Sequence, residues 1–444
     1  MMLKELFLKN KVGLIVLHIL IGYLITFSGV PKIYGAAMLI VGITILVLTS
    51  NKNDEVLLIS SYFVGAEVLL RMVKGAFAYE TGKYSVILMI ILAFFLGPIK
   101  SKKNITYIFY LLLLLLGIIF TKVPYGESIR NAIIFNLSGP ITLGICALYF
   151  YRYPLSSKQL YDLLFIALLP IISMVTYMYF RTPDLREIVF GGVANYETSG
   201  GFGPNQVATA LGFGIFIIAA LMLLKQKITG YFVLDALMLI YFIYRGLLTF
   251  SRGGIISGAI CLFVLAILIF IYNKGSYVTI LKYIFVAVVA VVGIWLYTSN
   301  ITKGMLNNRY TGKNASGISK DITSGRGEIF KMQLESFYES PIIGIGVGNG
   351  KYKRALSGRN VTAASHNEIS RLIEEHGLIG VIILAILFLI PILLFYKSNN
   401  YQRAFIASFF LFWFLTINHS AMRIAFPSFI YALSLIRITD DGNK

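Results

Sequence analysis

The chain has 444 residues, of which 57% are hydrophobic and 13% charged, and its mean hydropathy is +0.79. Soluble domains carry roughly twice that share of charge, so a soluble globular protein is excluded. Apolar stretches of about 20 residues recur from end to end, which excludes a β-barrel with its short alternating segments. The formal charge of +19 does not point to nucleic acid, because most of the lysines fall in short loops between apolar stretches, where the positive-inside rule places them.

The apolar stretches lie near 11–30, 34–50, 56–74, 84–98, 104–120, 128–150, 160–180, 205–224, 231–250, 254–272, 278–298, 377–396, 402–418 and 421–437. They predict an all-α polytopic membrane protein with about 12–14 transmembrane helices. Lys4, Lys9 and Lys11 precede the first stretch in the manner of a signal peptide. The stretch is too long for that, and no small-x-small cleavage site follows, so it reads as a retained span. The connections Lys100–Lys103, Arg152–Lys158, Lys225–Lys227, Lys274–Lys282 and Lys397–Arg403 read as cytoplasmic by charge. Alternation then places both termini in the cytoplasm and residues 181–204 and 299–376 outside. The whole chain, 1–444, reads as one transmembrane domain, with 299–376 as a partly helical extracytoplasmic loop. No solenoid repeat or matched pair of interrupted helices is visible. Glu67 and Arg71 stand at i,i+4 in the third stretch, spaced for an internal ion pair. Cys146 and Cys261 lie in apolar runs with no disulfide or metal spacing.

The polar features come in order. Residues 181–204 carry Arg181, Asp184, Arg186 and Glu187, then a Gly- and Pro-rich turn before Asn205 and Gln206, which open a span as caps or as amides facing a polar cavity. Arg252, in Phe250-Ser251-Arg252-Gly253-Gly254, either complements a helix end and snorkels to the interface or clamps an anion. Thr323 or Ser324 is expected to cap a helix with apolar face Ile329, Phe330, Leu334 and Phe337, stopped by Ser340-Pro341. Arg326 in its first turn is disfavoured by the macrodipole, whereas a helix start with an arginine suits an anion. The run Gly344–Gly350 lacks G-x-G-x-x-G spacing and reads as a backbone-flexible turn.

Ser365 and Glu368 are spaced as a capping box, which predicts His366 at the first helical position. There the helix N-terminus would hold its imidazole neutral, as a general base requires; the alternative is a loop histidine with no role. His376 follows Glu374 and Glu375, which would favour its protonated form, and His419 ends the thirteenth stretch. No H-x-x-x-H pair or outer D-x-D appears, so neither a metal site nor a cofactor is expected.

The ordered set Pro204-Asn205, Ser251-Arg252-Gly253-Gly254, Arg326, Ser340-Pro341-Ile342-Ile343-Gly344-Ile345-Gly346, His366-Asn367 and Glu375-His376-Gly377-Leu378-Ile379-Gly380 resembles the O-antigen ligase and O-antigen polymerase superfamily of bacterial membrane glycosyltransferases. The informative part covers roughly residues 195–396. The resemblance implies a GT-C-like helical enzyme in the bacterial cytoplasmic membrane, active at its extracytoplasmic face without a metal. The implied partners are a polyprenyl-pyrophosphate-linked oligosaccharide donor, a sugar acceptor and the lipid bilayer; a chain-length regulator is a further partner that this reading admits. Carried over, His366 is the base and Arg252 and Arg326 hold the pyrophosphate, with Asn205, Asn367, Arg371, Glu375, His419 and Arg423 in support. The Ile, Lys and Asn richness fits a low-GC genome and favours a polymerase over a ligase, and charge gathered at the outer surface rather than at mid-membrane depth favours a transferase over a lipid-linked-oligosaccharide flippase.

Overall fold

The first expected span, 11–30, is cut short before Gly29. The computed structural model describes residues 9–440 apart from 186, 189, 191–192, 274–276, 315, 320–324 and 357–364, with backbone alone at 272–273 and 277–288. Helix α1 (Lys11–Leu24) stops six residues earlier than expected, because Gly29 adopts φ 87° and Pro31 fits the first turn of α2 (Val30–Thr49). The chain continues through α3 (Glu55–Met72), α4 (Thr81–Leu96), α5 (Ile105–Ile119), α6 (Ile129–Phe150), α7 (Ser157–Arg181), α8 (Pro204–Leu223), α9 (Phe232–Leu248), α10 (Arg252–Asn273) and α11 (Tyr277–Ile301). Four short helices follow: α12 (Met305–Tyr310), α13 (Arg326–Glu339), α14 (Gly350–Leu356) and α15 (Glu368–His376). The chain then returns through α16 (Leu378–Tyr396), α17 (Asn400–His419) and α18 (Ala425–Leu433).

Each expected apolar stretch is therefore a helix, and the protein is an all-α polytopic membrane protein. Among the described residues, α2, α6, α7, α8, α10 and α16 are each long and apolar enough to cross a membrane. The last stretch is shorter than expected, because α18 ends at Leu433 and the chain turns into a parallel strand pair. There β2 (Arg437–Ile438) lies against β1 (Pro154–Leu155) of the α6–α7 turn.

Glycine decides how closely the central helices approach. A Cβ on Gly212, Gly254 or Gly258 would fall well inside contact with the facing backbone of α10 or α8. This seam fixes the start of α10 beside the start of α8, and α17 packs against the other side of α10.

The junctions sort to two ends. Lys100 binds Asp54 at 2.6 Å, Arg152 N donates to Leu435 O, and Lys11 reaches Lys227 O, all at the end that gathers the basic short loops. The opposite end carries the polar segment between α11 and α16. Gly344, Gly346 and Gly348, with φ of 70°, 87° and 78°, thread that segment between α5, α6 and α15. Ile345 N and Gly346 N donate to Glu374 O and Glu375 O at 3.0 Å, and Val347 N donates to Gly117 O at 3.2 Å. The run expected to be a flexible turn is instead a tightly packed clasp. Its glycines let backbone lie against backbone.

Candidate active site

At the loop-bearing end, Ser251 Oγ donates to Asn205 Oδ1 at 2.8 Å, joining the start of α10 to that of α8. Phe250, at φ 56°, turns the chain so that Arg252 opens α10. The His419 ring packs against Gly253, where any Cβ would collide with it. Its Nδ1 faces Leu415 O at 2.8 Å, and its Nε2 lies 3.3 Å from Thr209 Oγ1, one turn into α8.

A third arginine joins this corner. Arg309, on α12, donates through Nε to Phe250 O at 2.9 Å. Arg326 is the first residue of α13, entered from Gly325 at φ 80°. Thr323 and Ser324, the expected caps, lie outside the described residues. The buried face of α13 is Ile329, Met332, Gln333 and Ser336, which corrects the expected stripe: Phe330 is exposed and Leu334 and Phe337 are half-buried. Burial, then the charges of Arg252 and Arg326, push the Arg309 pKa down; burial and Arg252 do the same to Arg326. Converging cations that disfavour one another in a partly buried corner suit a polyanion, whose charge offsets the repulsion.

His366 stands beside this corner. The helix cap differs from the expected box: α15 begins at Glu368, and Asn367 Oδ1 caps it by accepting from Ser370 N at 3.1 Å. Ser365 Oγ instead donates to Asn367 O at 2.9 Å. The Glu368 carboxylate does not reach back, because Arg371 and Met422 N hold it. His366 thus precedes the cap. Its imidazole is nonetheless held neutral, with a pKa lowered to about 4 by burial, then by the charges of Arg326 and Arg423. Arg423 Nη2 donates to Ser365 O at 2.8 Å, and Ala421 N donates to His366 O at 2.9 Å. Asn367 Nδ2 donates to Asn418 Oδ1 at 2.9 Å.

Arg371 and Glu375 lie below the site rather than in it. Arg371 is buried between Glu368 and Glu375, and Gly348 N donates to Glu375 Oε1 at 2.9 Å. Glu374 holds Arg354 at 3.0 Å and accepts from Gln333 Nε2 at 2.9 Å. These pairs tie α13, α14 and α15 to the clasp. His376 is 1% exposed, against Gly117 of α5. Burial lowers its pKa to about 4, which corrects the expectation that the adjacent glutamates keep it protonated. Among the described residues, no group of three or more His, Cys, Asp or Glu side chains is placed to hold a metal ion.

The structure therefore brings together Arg252, Arg326, His366, Asn205, Asn367, His419 and Arg423, and sets Arg371 and Glu375 in the supporting network. Sequence reading missed Arg309. Its signal was an arginine in a short polar helix directly after a span, in the same loop as Arg326.

A many-helix bundle with a cationic, histidine-bearing corner at the end that carries its long polar segment defines a polytopic membrane protein. Residues 236–385 match the model of the O-Antigen ligase family, Wzy_C, so this segment is similar to the O-antigen ligase and polymerase superfamily. The match runs from α9 into α16 and contains Arg252, Arg309, Arg326 and His366; Asn205, His419 and Arg423 lie outside it. Against curated proteins the chain gives no significant match.

Proposed function

We propose that the protein polymerises oligosaccharide repeat units, transferring a glycan from a polyprenyl-pyrophosphate donor to an acceptor sugar hydroxyl at the extracytoplasmic face of the cytoplasmic membrane. The observation that carries this reading is the neutral His366 imidazole beside the Arg252, Arg309 and Arg326 corner. His366 accepts the proton as the acceptor oxygen attacks the anomeric carbon. The bond from that carbon to the phosphate oxygen breaks, and its electron pair leaves with the polyprenyl pyrophosphate. Fixed guanidinium charges at the membrane boundary stabilise the charge that develops on the leaving group. In-line attack inverts the anomeric centre.

The family description favours a second reading, ligation of the glycan to a lipid A core or another acceptor. Purified protein in proteoliposomes, given a polyprenyl-pyrophosphate oligosaccharide alone, separates the readings. A ladder of products on a gel supports the polymerase. Product only on adding a core acceptor supports the ligase. No release of polyprenyl pyrophosphate under either condition overturns both.

A further inference from the structure

Two buried arginines each reach from the site to an aromatic ring. Arg423 donates to Ser365 O, next to His366, and its guanidinium carbon lies 3.8 Å from the centroid of Phe135 on α6. Arg71 donates to Gln206 Oε1 at 3.3 Å, next to Asn205, and its guanidinium carbon lies 4.3 Å from the centroid of Tyr79 in the α3–α4 turn. Both arginines are less than a tenth exposed, yet Tyr79 is 54% and Phe135 38% exposed. Each ring is therefore covered on one side by a guanidinium and open elsewhere.

Behind these rings runs a network of paired charges. Arg71 binds Glu67 at 2.6 Å and Glu80 at 3.0 Å; Lys83 binds Glu80 at 2.5 Å and Ser138 Oγ at 2.7 Å. Glu67 in turn accepts from Ala425 N. An aromatic at a membrane interface needs lipid along its body and water at its tip. It does not need a guanidinium bound on its other side to the frame that holds the reacting groups. Rings held in this way offer flat apolar faces, one tied through Arg423 to the residue before His366 and one through Arg71 to the residue after Asn205. Such faces pack against the C–H faces of pyranose rings, while the buried guanidiniums behind them hold the rings in place.

We propose that Tyr79 and Phe135 form the binding platform for the acceptor glycan, an inference that rests on the transferase reading above. The platform belongs to residues 71–135, whereas the family match covers 236–385. Donor chemistry and glycan choice thus fall to different parts of the chain.

The test uses the full-length protein in detergent. The probe is the oligosaccharide released by mild acid from the lipid-linked repeat unit of the source membranes. Its affinity is measured for the wild type, Tyr79→Ala, Phe135→Ala and Tyr79→Phe, and transfer is assayed in parallel. The alanine variants should each bind about tenfold more weakly and show a matching rise in acceptor KM, the scale of one lost stacking contact. Tyr79→Phe, which keeps the ring, should bind as the wild type does. Unchanged affinity in both alanine variants overturns the platform while leaving the transferase reading in place. A wild type that binds the oligosaccharide but releases no polyprenyl pyrophosphate overturns the transferase reading instead.

Discussion

Arg423 donates to the backbone carbonyl of Ser365 at 2.8 Å, which parks a buried guanidinium beside His366. With Arg326 near as well, the imidazole sits in a positive field before any substrate arrives, and its pKa is lowered to about 4. On the proposed reaction, a pyrophosphate in the corner would cancel part of that field and make the imidazole a stronger base. The donor would thereby help to activate the base that deprotonates the attacking hydroxyl.

This coupling sets the pH dependence. The acid limb of kcat/KM, which reports the free enzyme, should lie near pH 4 and well below the ordinary ~6.5. The acid limb of kcat, which reports the complex, should lie at higher pH. The linked stability has the same sign. A lowered pKa means that the unfolded chain takes the proton first, so this contribution is full above about pH 6.5 and lost as pH falls toward 4. Rate profiles in proteoliposomes from pH 4 to 8 check it, and coincident limbs would count against donor coupling.

The three arginines should behave alike. Arg252→Ala, Arg309→Ala and Arg326→Ala should each raise donor KM, by about tenfold or more, if each supplies a charge-assisted hydrogen bond of about 1.5–3 kcal/mol. Lysine should restore only part, because it lacks the planar fork. Titration with lipid-linked donor reads this directly. An Arg309→Ala variant with wild-type donor KM would remove Arg309 from the donor site.

The two loop histidines should fail in different ways. His366→Ala should cut transfer by about 100- to 10,000-fold, as loss of a general base does, with donor binding retained. His376 is buried and its Nε2 faces Leu114 O at 3.3 Å, so His376→Ala opens a cavity. It should cost about 2–4 kcal/mol of stability while the folded fraction keeps its turnover. Melting curves and rates normalised to folded protein distinguish the two. A stable but inactive His376→Ala protein would move the base ten residues along.

Orientation is testable without substrate. The native Cys146 and Cys261 are buried, so a single cysteine at Ser316 or Ser101 is read against a quiet background. On intact cells, a membrane-impermeant thiol reagent should label position 316 and not 101. The reverse pattern would put the arginine corner in the cytoplasm and end the proposed reaction.

Hydropathy made the helices legible, because a span must satisfy its own backbone and so must be long and apolar. It failed where local geometry competes. The turn at Gly29, with Pro31 in the next helix behind it, cut one stretch short, and strand pairing of Arg437 and Ile438 shortened another. Arg252, Arg326 and His366 stood out because polar residues at span ends are few. The cap of α15 was misplaced because Glu368 is claimed by Arg371, a residue three positions on, and by Met422 from the turn between α17 and α18. Arg309 was hidden because its approach to Phe250 depends on how two distant turns meet. The glycine clasp looked mobile because sequence shows missing side chains, not the backbone that fills the space.

The hydrogen bond from Ala425 N to Glu67 spans most of the chain and bears on biosynthesis. Helix α3 leaves the ribosome early, carrying a carboxylate whose final partner is translated more than three hundred residues later. Until α18 arrives between α3 and α6, Glu67 and Arg71 must shelter each other or keep water with them inside a half-built bundle. A chain stalled before α18 would therefore expose a charged seam to lipid, a mark by which membrane quality control can tell an unfinished copy from a finished one.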